Sequence, residues 1–133
     1  MRCLLALPFT LLFLFASCSS SSPEEQARTG AMVAAQSGYD RLLSGDYSGF
    51  IACREGMADI PSSFREQMID TYKMYIASEQ KVHGGISRAT ATRAVMDSTL
   101  NIMQVFMLLS YGNGSQEEIV VPMVYSDGEW KMR

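Results

Sequence analysis

The chain has 133 residues, enough for one domain with a single hydrophobic core. Its formal net charge is −3 and its Lys and Arg residues are scattered, which excludes the basic surface that binds nucleic acid. Hydrophobic residues make up 47% of the chain, which excludes disorder for its main body.

The first residues have the pattern of a secretory signal. Arg2 precedes an apolar run over residues 4–16, LLALPFTLLFLFA. This run is shorter than the roughly 20 apolar residues that a membrane-spanning helix needs, and Pro8 interrupts it. We therefore expect residues 1–17 to be a signal peptide that is cleaved.

The end of this segment, Leu14-Phe15-Ala16-Ser17-Cys18, resembles the lipobox of bacterial lipoproteins. The resemblance implies that Cys18 is lipidated and anchors the chain to a lipid bilayer, with residues 18–22 as lipidated cysteine and serine tether. Ser19 resembles the sorting residue of outer-membrane lipoproteins, so we expect a bacterial cell-envelope protein at the outer membrane. The alternative is ordinary cleavage after a small residue, which gives a soluble secreted or periplasmic protein.

Helices are predicted in the first part of the domain, residues 23–133. Ser22 is an N-cap followed by Pro23 at the first helical position, and Gly45 suits a left-handed cap at the helix end. Asp46 then caps a short second helix. The apolar positions of the first helix are Met32, Tyr39, Leu42 and Leu43, interrupted by Gln36, and those of the second are Phe50, Ile51 and Met57.

A third helix has the strongest pattern. Ser63 and Glu66 form a capping box at its start, and Gly84 follows its end. Its apolar residues form one stripe, which we expect to lie in the core: Phe64, Met68, Ile69, Tyr72, Tyr75 and Ile76.

Beyond Gly85 the pattern changes to short apolar runs separated by turns, typical of strands. The run TLNIMQVFMLLSY is apolar on both faces, as expected for a central strand. Pro122, in the next run, suggests a strand edge or a bulge because proline cannot donate to the ladder. The predicted fold class is α+β: three N-terminal helices packed on a curved antiparallel sheet of about four strands.

The stretch AAQSGYDRLLSGDYSGFI, residues 34–51, and the final DGEWKMR resemble the nuclear transport factor 2-like superfamily. The chain is most similar to its small bacterial lipoprotein branch, a branch of unestablished function. The resemblance covers residues 26–133 and implies a cone-shaped α+β fold whose open end can hold a pocket. Some members are enzymes, such as ketosteroid isomerase, and others are binding modules or scaffolds, so the fold does not select a function.

No catalytic set, metal-ligand spacing or cofactor motif is evident. His83, the single histidine, is expected at the surface or as a cap, and Asp97 is expected to serve a turn. Cys53 is expected to be a small apolar core residue. Residues that could contact a ligand in the pocket are aromatic: Tyr39, Tyr72, Tyr75, Phe106 and Trp130.

Three functions are compatible with these features. The preferred one is a lipid-anchored, non-catalytic envelope domain that binds a small apolar ligand or a partner protein. The second is an isomerase, dehydratase or cyclase that uses a buried Asp or Tyr. The third is a structural or interaction module, and the double-sided apolar strand suggests a homodimer formed through the sheet.

Overall fold

The structure is a computed structural model that describes residues 20–133. Three helices are followed by four strands, which confirms the predicted α+β fold class. The elements are α1 (Pro23–Leu43), α2 (Tyr47–Ala52), α3 (Ser62–His83), β1 (Ile86–Asp97), β2 (Ile102–Tyr111), β3 (Gln116–Ser126) and β4 (Glu129–Met132). The predicted signal peptide and Cys18 lie outside the described residues. Within residues 20–133, no helix has both the length and the apolar character needed to cross a membrane.

The predicted start of α1 and α2 is confirmed by two side-chain caps. The Ser22 hydroxyl accepts a hydrogen bond from the Glu25 N–H at 3.2 Å, and the Asp46 carboxylate accepts one from the Gly49 N–H at 2.9 Å. These bonds satisfy backbone donors that have no partner within the helix. The second helix is shorter than predicted: it ends at Ala52, and Met57 lies in the following loop.

The capping box predicted at the start of α3 is wrong. The helix begins at Ser62, directly after Pro61, and its start has no side-chain cap hydrogen bond. Pro61 has φ −57° and ψ 145°, so the chain enters the helix immediately after it, and Ser63 lies inside the first turn instead of in front of it. The end of α3 is as predicted, since Gly84 has the left-handed conformation with φ 76°.

The four strands form one antiparallel sheet in the order β1-β2-β3-β4, so β1 and β4 are its edges. Val105 of β2 lies opposite Val121 of β3, and both are buried against the helices. Phe106 and Val120, one position along, lie opposite each other on the outer face. Two register shifts interrupt the pairing of β1 with β2.

Pro122 lies within β3, an interior strand, yet in a place that tolerates proline. The pairing of β3 with β4 ends at the pair Met123–Met132, and Pro122 is the residue before Met123. The Pro122 carbonyl faces this side, where it accepts a hydrogen bond from the Arg133 N–H at 2.9 Å. The nitrogen of Pro122 faces the same side, beyond the paired part of β4, so the absent N–H interrupts no β2–β3 bond.

α1 packs on the sheet through small residues. Ala31, Ala35 and Gly38 are buried at one face of the helix, together with Leu42. A Cβ atom at Gly38 would lie 3.0 Å from the Met132 methyl carbon, so glycine lets the helix approach β4 closely. The predicted face was only partly right, since Met32 and Tyr39 are half-buried at its margins. The buried sheet residues beneath it include Met103, Val105, Met107, Leu109, Val121 and Met123.

The prediction that the α3 stripe lies in the core is wrong in extent. No residue of α3 is buried, although Tyr72 and Ile76 pack against the core. Phe64 is 47% exposed and Tyr75 37% exposed. The helix covers the core with its centre and leaves much of its apolar surface open.

Candidate functional site

Aromatic rings fill the space between the three helices. Phe50 of α2 lies between Tyr39 of α1 and Tyr72 of α3, with ring centroids 5.6 Å and 4.8 Å away and nearly perpendicular planes. This edge-to-face geometry is favourable for aromatic pairs. The Arg54 guanidinium donates a hydrogen bond to the Tyr72 hydroxyl at 3.3 Å. We call Tyr39, Phe50 and Tyr72 the tyrosine cluster.

Two tyrosines of this region, Tyr39 and Tyr75, are held in the protonated form. Burial, followed by the proximity of Tyr75 and Tyr72, raises the pKa of Tyr39 to about 12, although Arg54 opposes the shift. Burial, followed by the charges of Glu79 and Glu117, also raises the pKa of Tyr75. Their hydroxyls therefore keep their protons at neutral pH and are poor bases.

A chain of polar contacts joins the end of α3 to the sheet. His83 Nδ1 lies 2.7 Å from a Glu79 carboxylate oxygen, and the His83 ring stacks on Tyr111 with centroids 4.4 Å apart. The Tyr111 hydroxyl donates to Glu117 at 2.6 Å, and this hydrogen bond, followed by burial, raises the pKa of Tyr111. We call Glu79, His83, Tyr111 and Glu117 the histidine stack.

His83 is thus more than the surface residue that the sequence predicted. Its carbonyl accepts a hydrogen bond from the Asn113 N–H at 2.9 Å, which fits the expected role at the helix end. Its side chain is half-buried and joins two elements that are distant in sequence. The Gly-Gly break after His83 does not indicate this contact, because Tyr111 lies at the end of β2, far along the chain.

Asp97 has the turn role that the sequence favoured. Its carboxylate accepts hydrogen bonds from the backbone N–H groups of Thr99 at 3.0 Å and Leu100 at 3.1 Å. Such local bonds are typical of aspartate in turns.

An open groove of about 630 Å³ lies beside the outer edge of β1. Gln36 spans its floor, because its side-chain Nε2 donates to the Ala89 carbonyl and its Oε1 accepts from the Ala91 N–H, both at 2.8 Å. We call this the α1–β1 groove. It is lined by Met32, Val33, Gln36, Ser37, Asp40, Arg41, Ser44 and Ala91.

A second cavity, of about 640 Å³, has a lining of mixed polarity and lies between the loop after α2 and the β3–β4 hairpin. Arg54, Arg65 and Lys131 line it, alternating with acidic residues such as Glu55 and Asp127. The mixed charges give it no single-sign field for a charged ligand.

Three of the five predicted ligand-contact residues lie near one another, and two lie elsewhere. Tyr39, Tyr72 and Tyr75 belong to the same region between the helices. Phe106 lies on the opposite face of the sheet, with the Arg93 guanidinium carbon 3.4 Å from its ring centroid. Trp130 packs on the first half of α1 from β4. The five cannot share one pocket.

Two residues at these sites were missed as candidate site residues by sequence reasoning. Gln36 was interpreted only as an interruption of the apolar pattern of α1. This polar interruption marks the residue that bonds to β1. Arg54 had no local signal, since its partner Tyr72 lies on another helix. Among residues 20–133, no group of three or more His, Cys, Asp or Glu side chains is placed to hold a metal ion.

No protein-family model matches the chain, and no curated protein matches it. A solved structure does match: a "putative NTF2-like transpeptidase" from Campylobacter jejuni. The alignment covers 84% of this chain and 97% of the other, with a TM-score of 0.55 and 13% sequence identity. The chain therefore has the nuclear transport factor 2-like fold, as the sequence predicted, and this fold is compatible with a ligand-binding or enzyme-like domain.

Proposed function

We propose that this chain is a lipid-anchored, non-catalytic domain of a bacterial cell envelope that binds a partner protein through α3. The observation that carries the proposal is the incomplete burial of α3, a helix of 22 residues with no buried residue. A small apolar ligand is the second candidate occupant.

The open side of α3 carries exposed apolar side chains along its length. Phe64, Tyr75 and Val82 fall on the same side of the helix at 3.6 residues per turn. They are 47%, 37% and 66% exposed. Large apolar side chains exposed on one side of a helix favour a protein-interaction site.

Among residues 20–133, the tyrosines with a raised pKa are unsuited to act as a general base, which favours a non-catalytic role. General bases work best with a pKa near neutral pH, whereas the shifted tyrosines described above have pKa values raised away from it. No charged side chain is buried among residues 20–133. The alternative enzyme would need a buried carboxylate inside a cavity. Asp97 is bonded to its own turn, and the carboxylates that line the two open cavities, such as Asp40 and Glu55, are exposed.

The activity in the name of the Campylobacter jejuni protein is not part of the proposal. A transpeptidase that used a thiol would need a cysteine with a base beside it. Cys53 Sγ donates to the Gly49 carbonyl at 3.3 Å, while His83 contacts Glu79 and Tyr111. In the described part of the chain, no hydrogen bond joins Cys53 to His83.

The cellular place rests on the lipobox-like segment that ends at Cys18. An acylated Cys18 would hold the domain at the outer membrane on a short serine tether.

Site-specific photocrosslinking in living cells tests the partner surface. A crosslinking residue at Val82 should give one discrete crosslinked species. The matched control is Met74, which is 72% exposed on the same helix but on a different side. Equal crosslinking from both positions, or none from Val82, contradicts the proposed surface.

The α1–β1 groove favours the second candidate, a small apolar ligand. Met32, Val33 and Ala91 give it an apolar wall, and methionine adapts to differently shaped ligands. Val33→Asp should abolish a bound mass in native mass spectrometry of the protein purified from the envelope. A bound mass that persists in this variant contradicts a ligand in this groove.

Exposed apolar residues on the outer face of the sheet favour a homodimer, in which the partner is a second copy of this chain. Val120, opposite Phe106, is 48% exposed there, and Val95, opposite Gln104, is 44% exposed. Val120→Glu should convert a dimer to a monomer in analytical ultracentrifugation. A wild-type protein that is monomeric at all accessible concentrations contradicts the dimer.

A further inference from the structure

An aromatic pair, one exposed ring and one half-buried ring, lies at one end of the sheet. The Tyr125 and Trp130 rings are 5.3 Å apart across the β3–β4 hairpin, with a T-shaped geometry. Tyr125 is 64% exposed, although it is a large aromatic residue. An open cavity of about 310 Å³ separates the pair from the start of α1, where Pro23, Gln26 and Ala27 line it.

The same end of the domain lies next to the expected anchor. Four residues lie between Cys18 and Pro23. The five peptide units that join the two residues span at most roughly 17 Å when fully extended. Pro23 is in contact with the cavity of the aromatic pair. An acylated Cys18 therefore keeps Tyr125 and Trp130 close to the bilayer surface.

A third exposed apolar residue lies at this end. Leu100 is 59% exposed in the turn between β1 and β2. Because adjacent strands are antiparallel, this turn and the β3–β4 hairpin are at the same end of the sheet. The opposite end has the polar hairpin Gly112-Asn113-Gly114-Ser115.

The charges at this end are weakly negative. Arg28 pairs with Glu24, and Lys131 pairs with Glu129 at 3.2 Å. Glu25 and Asp127 add negative charge, so an anionic lipid surface would be repelled. A zwitterionic interface carries no such penalty.

We propose that Tyr125, Trp130 and Leu100 form a membrane-contact surface that docks on a zwitterionic lipid interface. Tyrosine and tryptophan suit this interface, since each combines an apolar ring with a polar atom. The contact fixes the orientation of the domain, with the start of α1 towards the bilayer and the 112–115 hairpin away from it. The inference rests on the anchoring part of the proposed function.

Trp130 is the single tryptophan of the chain and reports on this contact directly. The mature lipidated protein is reconstituted into phosphatidylcholine vesicles with or without brominated acyl chains, which quench tryptophan fluorescence at short range. We expect quenching of Trp130 by the brominated lipid, a loss of quenching in Tyr125→Ser and Leu100→Ser, and no change in Met74→Ser. Phosphatidylglycerol in the vesicles should weaken the quenching.

Equal fluorescence in brominated and ordinary vesicles overturns the inference, and stronger quenching with phosphatidylglycerol overturns the zwitterionic assignment. The acylation of Cys18 is measured separately by mass spectrometry of the same sample. An acylated protein without quenching contradicts the docking surface alone, whereas an unacylated Cys18 contradicts the anchor and the docking together.

Discussion

The Gln36 side chain accepts a hydrogen bond from the backbone N–H of Ala91 at 2.8 Å, across the outer edge of the sheet. The same amide donates to the Ala89 carbonyl at 2.8 Å. β1 is an edge strand, so these backbone groups have no neighbouring strand to bond with. Gln36 takes part of the place of such a strand and joins α1 to the sheet.

We expect Gln36→Ala to lower the free energy of unfolding by about 1–3 kcal/mol, because it removes two hydrogen bonds from a half-buried backbone. Urea unfolding followed by circular dichroism measures the change. Gln67→Ala, at an exposed position of α3, is the matched control and should leave the stability nearly unchanged. Equal effects of the two substitutions would show that the Gln36 bonds add no stability.

We expect alanine to destabilise the fold at Gly30 but to be tolerated at Gly38, although both glycines lie on α1. A Cβ at Gly30 would lie 2.9 Å from the Trp130 ring nitrogen, whereas a Cβ at Gly38 would meet the flexible end of Met132 at 3.0 Å. Gly30→Ala should destabilise the fold by about 1–3 kcal/mol, since the ring must move. Gly38→Ala should be nearly neutral, since the gain of about 1 kcal/mol in helix propensity offsets the crowding.

The measurement is thermal unfolding of both variants, with the emission maximum of Trp130 as a local reporter. A shifted emission maximum in Gly30→Ala alone is expected. If Gly38→Ala were the more damaging of the two, the close contact between Gly30 and Trp130 would not be the dominant restraint.

We expect the His83 ring, which stacks on Tyr111, to contribute more to stability than the contact of His83 with Glu79. His83→Phe keeps the stacking on Tyr111 and loses the contact with Glu79, whereas His83→Ala loses both. We expect His83→Ala to lower the free energy of unfolding by about 1 kcal/mol more than His83→Phe. Hydrogen exchange of the Asn113 amide, which bonds the His83 carbonyl, should accelerate in His83→Ala; identical exchange in both variants argues against the stack.

The raised pKa of Tyr39 predicts that the protein loses stability in alkaline solution. Its folded-state pKa is about 12, above the ordinary 10.0, so the fold favours the protonated phenol. This contribution is complete below pH 10 and is lost as the pH rises through 12, because the unfolded chain then releases the proton more readily. The loss attributable to Tyr39 is on the order of 2 kcal/mol.

Chemical unfolding between pH 9 and about 12 measures this dependence. Tyr39→Phe should be less sensitive to pH than the wild type across this window, while Tyr125→Phe, at an exposed position, serves as the control. A Tyr39→Phe variant with the same pH dependence as the wild type would contradict the burial of the Tyr39 hydroxyl.

Local signals in the sequence were sufficient for most of the fold. Ser22 and Asp46 cap helices as predicted, Gly45 has φ 84°, and Asp127-Gly128 forms the tight turn between β3 and β4. Each of these features depends on neighbours within a few residues, which a sequence pattern contains. The prediction for the start of α3 was wrong because the helix begins directly after Pro61, one residue before the Ser63 that the capping box required as its first residue.

The site was less predictable because its contacts join distant segments. The pairs formed by Arg54 with Tyr72, Gln36 with Ala91 and His83 with Tyr111 each join two elements, and no periodicity encodes such a pair. Burial of α3 was overestimated for a related reason. An apolar stripe indicates that a surface will be covered, but it does not distinguish the domain's own core from another molecule.

The most direct test of the central claim is a native mass spectrum of the mature protein extracted from the envelope in mild detergent. The account predicts a chain that begins at Cys18, carries covalent acyl groups, and travels with a non-covalently bound partner chain or small molecule that is released on unfolding. A chain without acyl groups and without any bound component would contradict a lipid-anchored binding domain.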